Sequence, residues 1–73
     1  MNIGMLWLDA DQIRPFDEKV TRAAEYYREK YGRAPEVCYV NTAMLTEETS
    51  VGRIEVKPIK SVQRHHFWIG MKT

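Results

Sequence analysis

Cysteine and histidine are scarce in this sequence, which has one cysteine, Cys38, and two histidines, His65 and His66, in 73 residues. A single cysteine excludes an internal disulfide and makes a cysteine-based zinc site implausible. Long hydrophobic runs are also lacking, since the apolar segment at residues 2–8 is too short for a membrane span or a signal peptide. We therefore expect a cytoplasmic protein that does not enter the membrane, and the sequence indicates no cofactor and no metal.

Acidic residues are scarce in the last third of the chain. Residues 1–50 contain six Lys or Arg and nine Asp or Glu, a balance of −3, whereas residues 51–73 contain five Lys or Arg and one Glu, a balance of +4. Such a basic segment can mark a phosphate-binding edge. One hypothesis is therefore a nucleic-acid-binding protein in which a strand aromatic stacks on bases and phosphates contact Arg53, Lys57, Lys60, Arg64 and Lys72.

The length predicts one small domain, residues 1–73. At this size only about 60% of the surface of the unfolded chain becomes buried, so the margin of stability is small. Self-association is a common further source of burial when disulfides and structural metals are not used.

Residues 15–32 carry the strongest structural pattern in the chain. Pro15 suits the first helical position, acidic residues follow it, and Gly32 can close a helix in the left-handed conformation. The spacing predicts an amphipathic helix whose apolar stripe comprises Phe16, Val20, Ala23, Ala24, Tyr27 and Tyr31.

Four other segments have strand character. Residues 2–8 are apolar on both faces, which is typical of a central strand. In the third segment Ile54 and Val56 alternate with charged residues, which predicts a half-exposed strand. The predicted strands are residues 2–8, 36–40, 53–58 and 65–71.

Between the second and third strands, residues 42–48 favour a short helix and residues 49–52 a loop. The first strand, the long helix and the second strand form a βαβ unit, so the two strands should be parallel. The order β-α-β-(short α)-β-β predicts a small α/β domain of the two-layer α+β type, a mixed sheet with one long helix on one face.

One helix cannot cover both faces of this sheet. Large apolar residues lie on both strand faces, so either segment 42–48 folds back over the second face or a second copy packs there. We favour a homodimer, with Trp7, Tyr39 and Trp68 as candidate interface residues.

Polar residues follow the predicted strands at one rim of the sheet. Ligands of open α/β sheets lie beyond the carboxyl ends of the parallel strands, and an antiparallel last strand would begin there too. The rim would combine carboxylates, imidazoles, an amide and guanidinium groups, the ingredients of acid–base or metal chemistry. The candidate rim residues are Asp9, Asp11, Arg14, Asn41, Arg64, His65 and His66.

The fragment LWLDADQIR at residues 6–14 resembles the nucleophile strand of haloacid-dehalogenase-type phosphatases, whose first Asp attacks phosphorus and whose two Asp residues help to hold magnesium. The resemblance covers nine residues, and that architecture also needs a lysine and further acidic ligands from a larger domain. Asp9 and Asp11 are therefore interpreted as surface carboxylates near a helix start.

Taken together, the residues favour a non-enzymatic interaction module that self-associates and acts as an accessory or adaptor protein. No residue is assigned a catalytic role. The alternatives are the nucleic-acid-binding protein above and a small metal-dependent hydrolase with its site at the polar rim.

Overall fold

The computed structural model describes residues 4–72, which form five strands and one helix. Residues 2 and 3 of the predicted first strand lie outside the described residues. The predicted helix and the four predicted strands are confirmed, and one short strand is added. The elements are β1 (Gly4–Leu8), α1 (Phe16–Tyr31), β2 (Val37–Val40), β3 (Thr49–Val51), β4 (Ile54–Pro58) and β5 (His66–Gly70).

The strands form one mixed sheet in the order β1-β5-β2-β4-β3. β5 runs antiparallel to both β1 and β2, so β1 and β2 are parallel, as predicted, with β5 between them. β4 runs parallel to β2 and antiparallel to β3. The ends of β1, β2 and β4 and the start of β5 therefore lie at one end of the sheet, here called the carboxyl rim.

The helix α1 covers one face of the sheet with its apolar stripe. Val20, Ala23 and Tyr27 are fully buried on that stripe. Pro15 precedes the helix as its N-cap rather than occupying its first helical position. Gly32 closes the helix with φ of 75°, and its N–H donates to the Arg28 carbonyl oxygen at 2.8 Å.

The core lies between α1 and the strand residues that point towards it. Successive strand residues point to opposite faces, and ladder partners share a face, so Cys38, Val56 and Ile69 meet below the helix. Burial raises the pKa of the Cys38 thiol to about 12, in keeping with a small core residue. The buried cluster comprises Val20, Ala23, Tyr27, Cys38, Val40, Ile54, Val56, Phe67 and Ile69.

Segment 42–48 differs from its prediction, because it forms turns rather than a short helix. The Asn41 side chain accepts a hydrogen bond from the Ala43 N–H at 2.8 Å, and its carbonyl oxygen accepts from the Met44 N–H at 2.9 Å, which closes a tight turn at residues 41–44. Met44 and Leu45 then pack against the core cluster on the helix side of the sheet. The segment consequently does not fold over the second face. Residues 49–51, which follow it and were predicted to be part of a loop, form β3.

The position of β1 is a second correction, because β1 lies at the edge of the sheet and not at its centre. Its apolar residues on both faces suggested burial on both sides, but β5 inserts between β1 and β2 and takes the central place. Leu6 and Leu8 remain 60% and 61% exposed as a result.

Trp7 lies on the helix side of β1, so grouping it with Tyr39 and Trp68 as one interface is wrong. It pairs with the buried Phe67 in the ladder, and its ring centroid is 4.5 Å from that of Tyr26 on α1. Its Nε1 is buried without a hydrogen-bond partner among the described residues. Trp7 is therefore a packing residue below the helix.

Candidate functional site

The side of the sheet away from α1, here called the open face, is apolar over β1, β5 and β2. The ladder sets Leu6 opposite Trp68 and Trp68 opposite Tyr39, so these side chains form one row across three strands. Leu8 continues the apolar surface along β1 towards the carboxyl rim. Leu6, Leu8, Tyr39 and Trp68 together are called the apolar patch.

Trp68 lies flat on the edge of the sheet because β1 has a glycine beneath it. A Cβ built on Gly4 would lie 2.6 Å from both Cε2 and Cη2 of Trp68, and closer still to Cζ2. The indole therefore fills the place where a side chain at position 4 would stand. On its other side Trp68 contacts Tyr39, with ring centroids 5.6 Å apart and ring planes inclined by 50°.

A hollow of about 420 Å3 opens beside the apolar patch, between β1, β5 and the β4–β5 connection. Two hydrogen bonds hold this connection: Asn41 Nδ2 donates to the Val62 carbonyl oxygen at 2.8 Å, and the His66 N–H donates to the Gln63 carbonyl oxygen at 3.1 Å. The hollow has both apolar and polar walls, formed by Leu6, Ser61, Val62, Gln63, His66 and Trp68.

The open face becomes charged at β4. Glu55 and Lys57 extend to β4 the rows that cross β1, β5 and β2, since their ladder partners are Val37 and Tyr39. The Glu55 carboxylate forms ion pairs with Lys57, at 3.8 Å, and with Lys72. These charges bound the apolar patch on one side, and β1, the edge strand of the described sheet, bounds it on the other.

The five predicted phosphate contacts do not form one surface. Lys57 lies on the open face of β4, and Lys60 and Arg64 lie in the β4–β5 connection at the carboxyl rim. Arg53 precedes β4 and Lys72 follows β5, which places both at the opposite end of the sheet. The Lys72 N–H also donates to the Glu36 side chain at 2.9 Å, which connects Lys72 to the residue that precedes β2.

At the rim, Asp9, Asp11 and Arg14 come together in the loop between β1 and α1. Arg14 Nη1 donates to both carboxylate oxygens of Asp9, at 3.0 and 2.8 Å, and Asp9 is only 7% exposed. These hydrogen bonds from a single nitrogen to the Asp9 carboxylate raise the pKa of the Arg14 guanidinium. Arg14 also lies 3.6 Å from the Asp11 carboxylate and 3.3 Å from that of Glu18.

The two rim carboxylates accept hydrogen bonds from their own loop. Asp9 accepts from the Asp11 N–H at 3.1 Å. Asp11 accepts from the N–H groups of Ile13 and Arg14 at 2.7 and 3.1 Å, and these bonds lower the pKa of its carboxyl group. Both acids shape the turn that leads into α1.

The remaining rim residues lie at the start of β5. His65 adopts a left-handed φ of 67°; its N–H donates to Met44 Sδ at 3.1 Å and its carbonyl oxygen accepts from the Asp9 N–H at 2.9 Å. His66 Nδ1 donates to the Arg64 carbonyl oxygen at 2.9 Å. Among residues 4–72, no three His, Cys, Asp or Glu side chains are grouped as a metal site would require.

A second hollow of about 290 Å3 lies between α1 and the β3–β4 hairpin. It combines small apolar side chains with two arginines, and its lining includes Ala24, Arg28, Pro35, Val51, Arg53 and Ile54.

In residues 4–72, no helix has the length and apolar character needed to traverse a bilayer. Comparison with protein-family models, curated proteins and solved structures finds no match to this chain. The fold itself is a small α+β domain with one helix on one side of a five-stranded mixed sheet among the described residues.

Sequence reasoning missed Leu6, Leu8 and Gly4 as parts of the open face, and Ser61, Val62 and Gln63 as walls of its hollow. The alternation of Gly4, Leu6 and Leu8 against Trp7 was visible in the sequence. Exposure of that row could not be read from it, because exposure depends on which strand occupies the sheet edge.

Proposed function

We propose that this protein is a non-enzymatic interaction module that associates with a second copy of itself through the apolar patch, in an accessory or adaptor role. The observation that carries the proposal is the exposure of Leu6 and Leu8, 60% and 61%, next to Trp68 on one face. Burying a leucine fully is worth about 1.5–3 kcal/mol, so these two side chains alone supply a driving force for association.

Two further observations support this assignment. Segment 42–48, which could have covered the second face, packs on the helix side through Met44 and Leu45. The rim carboxylates Asp9 and Asp11 accept hydrogen bonds from their own loop, which favours a structural role for them over a hydrolytic one.

The experiment is the solution mass by light scattering over a concentration series, for the wild type and for Trp68→Glu. We expect the wild-type mass to rise towards that of a dimer with concentration, and Trp68→Glu to remain a monomer. Ile13→Glu is the matched control, because Ile13 is 92% exposed and belongs to the β1–α1 loop rather than to a strand of the open face. A wild type that stays monomeric at every concentration would contradict the proposal.

Single-stranded nucleic acid is the second candidate, favoured by the side-by-side arrangement of Trp68 and Tyr39 with three cations near one end of the open face. Aromatic side chains on a sheet stack on bases, and nearby Lys and Arg contact phosphates. Lys57 is the ladder partner of Tyr39, and Lys60 and Arg64 lie in the connection that follows β4.

Salt distinguishes this candidate from self-association. Three phosphate contacts predict that affinity for a single-stranded oligonucleotide falls about 20-fold between roughly 50 and 200 mM salt. Quenching of tryptophan fluorescence measures the affinity. Substituting Lys57, Lys60 and Arg64 together by Gln should abolish binding, whereas Arg53→Gln, at the other end of the sheet, should leave it intact. Binding that ignores both salt and the triple substitution would exclude this candidate.

A further inference from the structure

Among residues 4–72, no strand pairs with the outer side of β1. β5 is the only ladder partner of β1 among the described residues. The Asp9 N–H donates to the His65 carbonyl oxygen at 2.9 Å, and this bond fixes which residues face β5. Alternation in an antiparallel ladder then directs the N–H and C=O groups of Gly4, Leu6 and Leu8 towards the free edge. The Tyr31 hydroxyl donates to the Gly4 carbonyl oxygen at 3.5 Å, which agrees with this direction and leaves that oxygen a second lone pair for another donor.

The sequence of β1 has none of the features that usually prevent an edge strand from pairing with another strand. Proteins protect edge strands with lysines, prolines or bulges, because an open edge is a template for another strand. The strand GMLWL contains no charged residue and no proline, and its register with β5 is regular from Gly4 to Leu8. An exposed edge and an exposed apolar patch therefore lie side by side.

We infer that β1 pairs with β1 of a second copy, antiparallel about a two-fold axis at Leu6, to form one continuous sheet. This inference rests on the proposed self-association and specifies its geometry. The register centred on Leu6 is favoured because it uses all three outward-facing residues. Leu6 pairs with its own counterpart, and Gly4 of each copy pairs with Leu8 of the other, giving about six backbone hydrogen bonds.

Side chains on the open face fit this register. Residues directly opposite each other in an antiparallel pair lie on the same face. Leu8 of the second copy would stand opposite Gly4, where the Trp68 indole occupies the space above the backbone. Leu8 would thus pack against Trp68 of the other copy twice, once on each side of a central Leu6–Leu6 contact.

The size of the apolar patch favours the edge over face-to-face stacking. Three strands at a spacing of about 4.8 Å and five residues at about 3.3 Å each give roughly 14 by 16 Å, or about 230 Å2 per copy. A stable interface covers about 800 Å2 per partner. Stacking would offer only this small area, whereas edge pairing adds backbone hydrogen bonds, so we expect a weak, reversible dimer.

Disulfide trapping tests the register with two matched variants, Leu6→Cys and Leu8→Cys. The two Leu6 Cα atoms would lie about 5.5 Å apart across the axis, within the range for a disulfide. The two Leu8 Cα atoms would lie about 14 Å apart, which is too far. Both leucines are about equally exposed, at 60% and 61%, so random collision affects both variants alike. The native Cys38 is fully buried and adds no background.

Under mild oxidation we expect Leu6→Cys to form a covalent dimer on a non-reducing gel and Leu8→Cys to remain monomeric. Equal trapping of both variants, or trapping of Leu8→Cys alone, would overturn the register while leaving self-association intact. A wild type that is monomeric by light scattering would instead overturn the proposed function and the pairing together.

A second pair of variants tests edge pairing without thiols. Leu6→Thr and Leu6→Pro both remove the leucine side chain, but only proline also removes the outward N–H. The ladder with β5 does not use that N–H, so proline is compatible with this edge position. Edge pairing predicts that Leu6→Pro weakens the dimer far more than Leu6→Thr. Equal weakening would contradict it.

Discussion

Gly4→Ala is the most informative single change, because it adds one methyl group where the Trp68 indole lies on the sheet. The new Cβ would meet Cε2 and Cη2 of Trp68 at 2.6 Å and Cζ2 closer still, well inside van der Waals contact. The β1 backbone is held by its ladder with β5, so the indole must move. Trp68 would tilt away from the sheet and lose its contacts with the β1 backbone and with Tyr39.

The expected cost follows from two opposing effects. Overpacking costs about 1–3 kcal/mol when neighbours must shift. Replacing glycine by alanine in a strand returns about 0.5–1 kcal/mol of backbone entropy. We therefore expect a net loss of about 1–2 kcal/mol, and a fall in Tm of about 5–15 °C for a domain of this size. Thermal unfolding of the wild type and of Gly4→Ala at the same protein concentration measures this fall in Tm.

A double-mutant cycle with Trp68→Ala isolates the cause. Without the indole there is nothing for the alanine methyl group to displace, so Gly4→Ala should be neutral or slightly stabilising in that background. The two substitutions should thus be strongly coupled. If Gly4→Ala destabilises both backgrounds equally, the close contact between Gly4 and Trp68 is not what makes glycine necessary.

Three further predictions concern the rim loop and the core. Asp9→Asn removes the charge of a carboxylate that is only 7% exposed. We expect it to lower the free energy of unfolding by about 1–3 kcal/mol, measured by urea denaturation; an unchanged midpoint would refute the structural role. Backbone hydrogen bonds from Ile13 and Arg14 lower the pKa of Asp11 from its ordinary value of 3.8. Its contribution to stability is therefore complete above that value and is lost as pH falls through the lower folded pKa, so Asp11→Ala should flatten the acid side of the stability profile. Burial raises the pKa of Cys38 to about 12, so iodoacetamide should label it only as fast as the protein opens, and rapid labelling of the native state would contradict its burial.

The long helix was predictable because every local signal agreed. Its apolar stripe, its acidic first turn and Gly32 at its end all favour the same bounds, and tertiary packing had nothing to override. The alternation of Ile54 and Val56 with Glu55 and Lys57 likewise predicted a half-exposed strand, which the structure confirms.

The place of β1 was not predictable from its residues. Residues apolar on both faces indicate that a strand could be buried on both sides, but they do not say which strand inserts beside it. β5 comes from the far end of the chain and separates β1 from β2. Because of that long-range pairing, β1 lies at the edge of the sheet although its sequence is typical of a central strand.

At the carboxyl rim, the positions of the two acidic residues were predictable. The sequence placed Asp9 and Asp11 together at the end of a strand, and both are there. Their hydrogen bonds to N–H groups two and three residues along the chain could have been anticipated, since Asp commonly bonds the backbone of its own turn.

A dilution series followed by 1H–15N NMR tests the central claim most directly, because it reports each surface of the protein separately. If the apolar patch is where copies meet, the amide signals of Leu6 and Leu8 and the indole N–H of Trp68 should shift with protein concentration. The amide signals of Ile13, in the β1–α1 loop, and of Arg28, which lines the hollow between α1 and the β3–β4 hairpin, should not shift. Shifts centred on that hollow, or none at any concentration, would contradict the account.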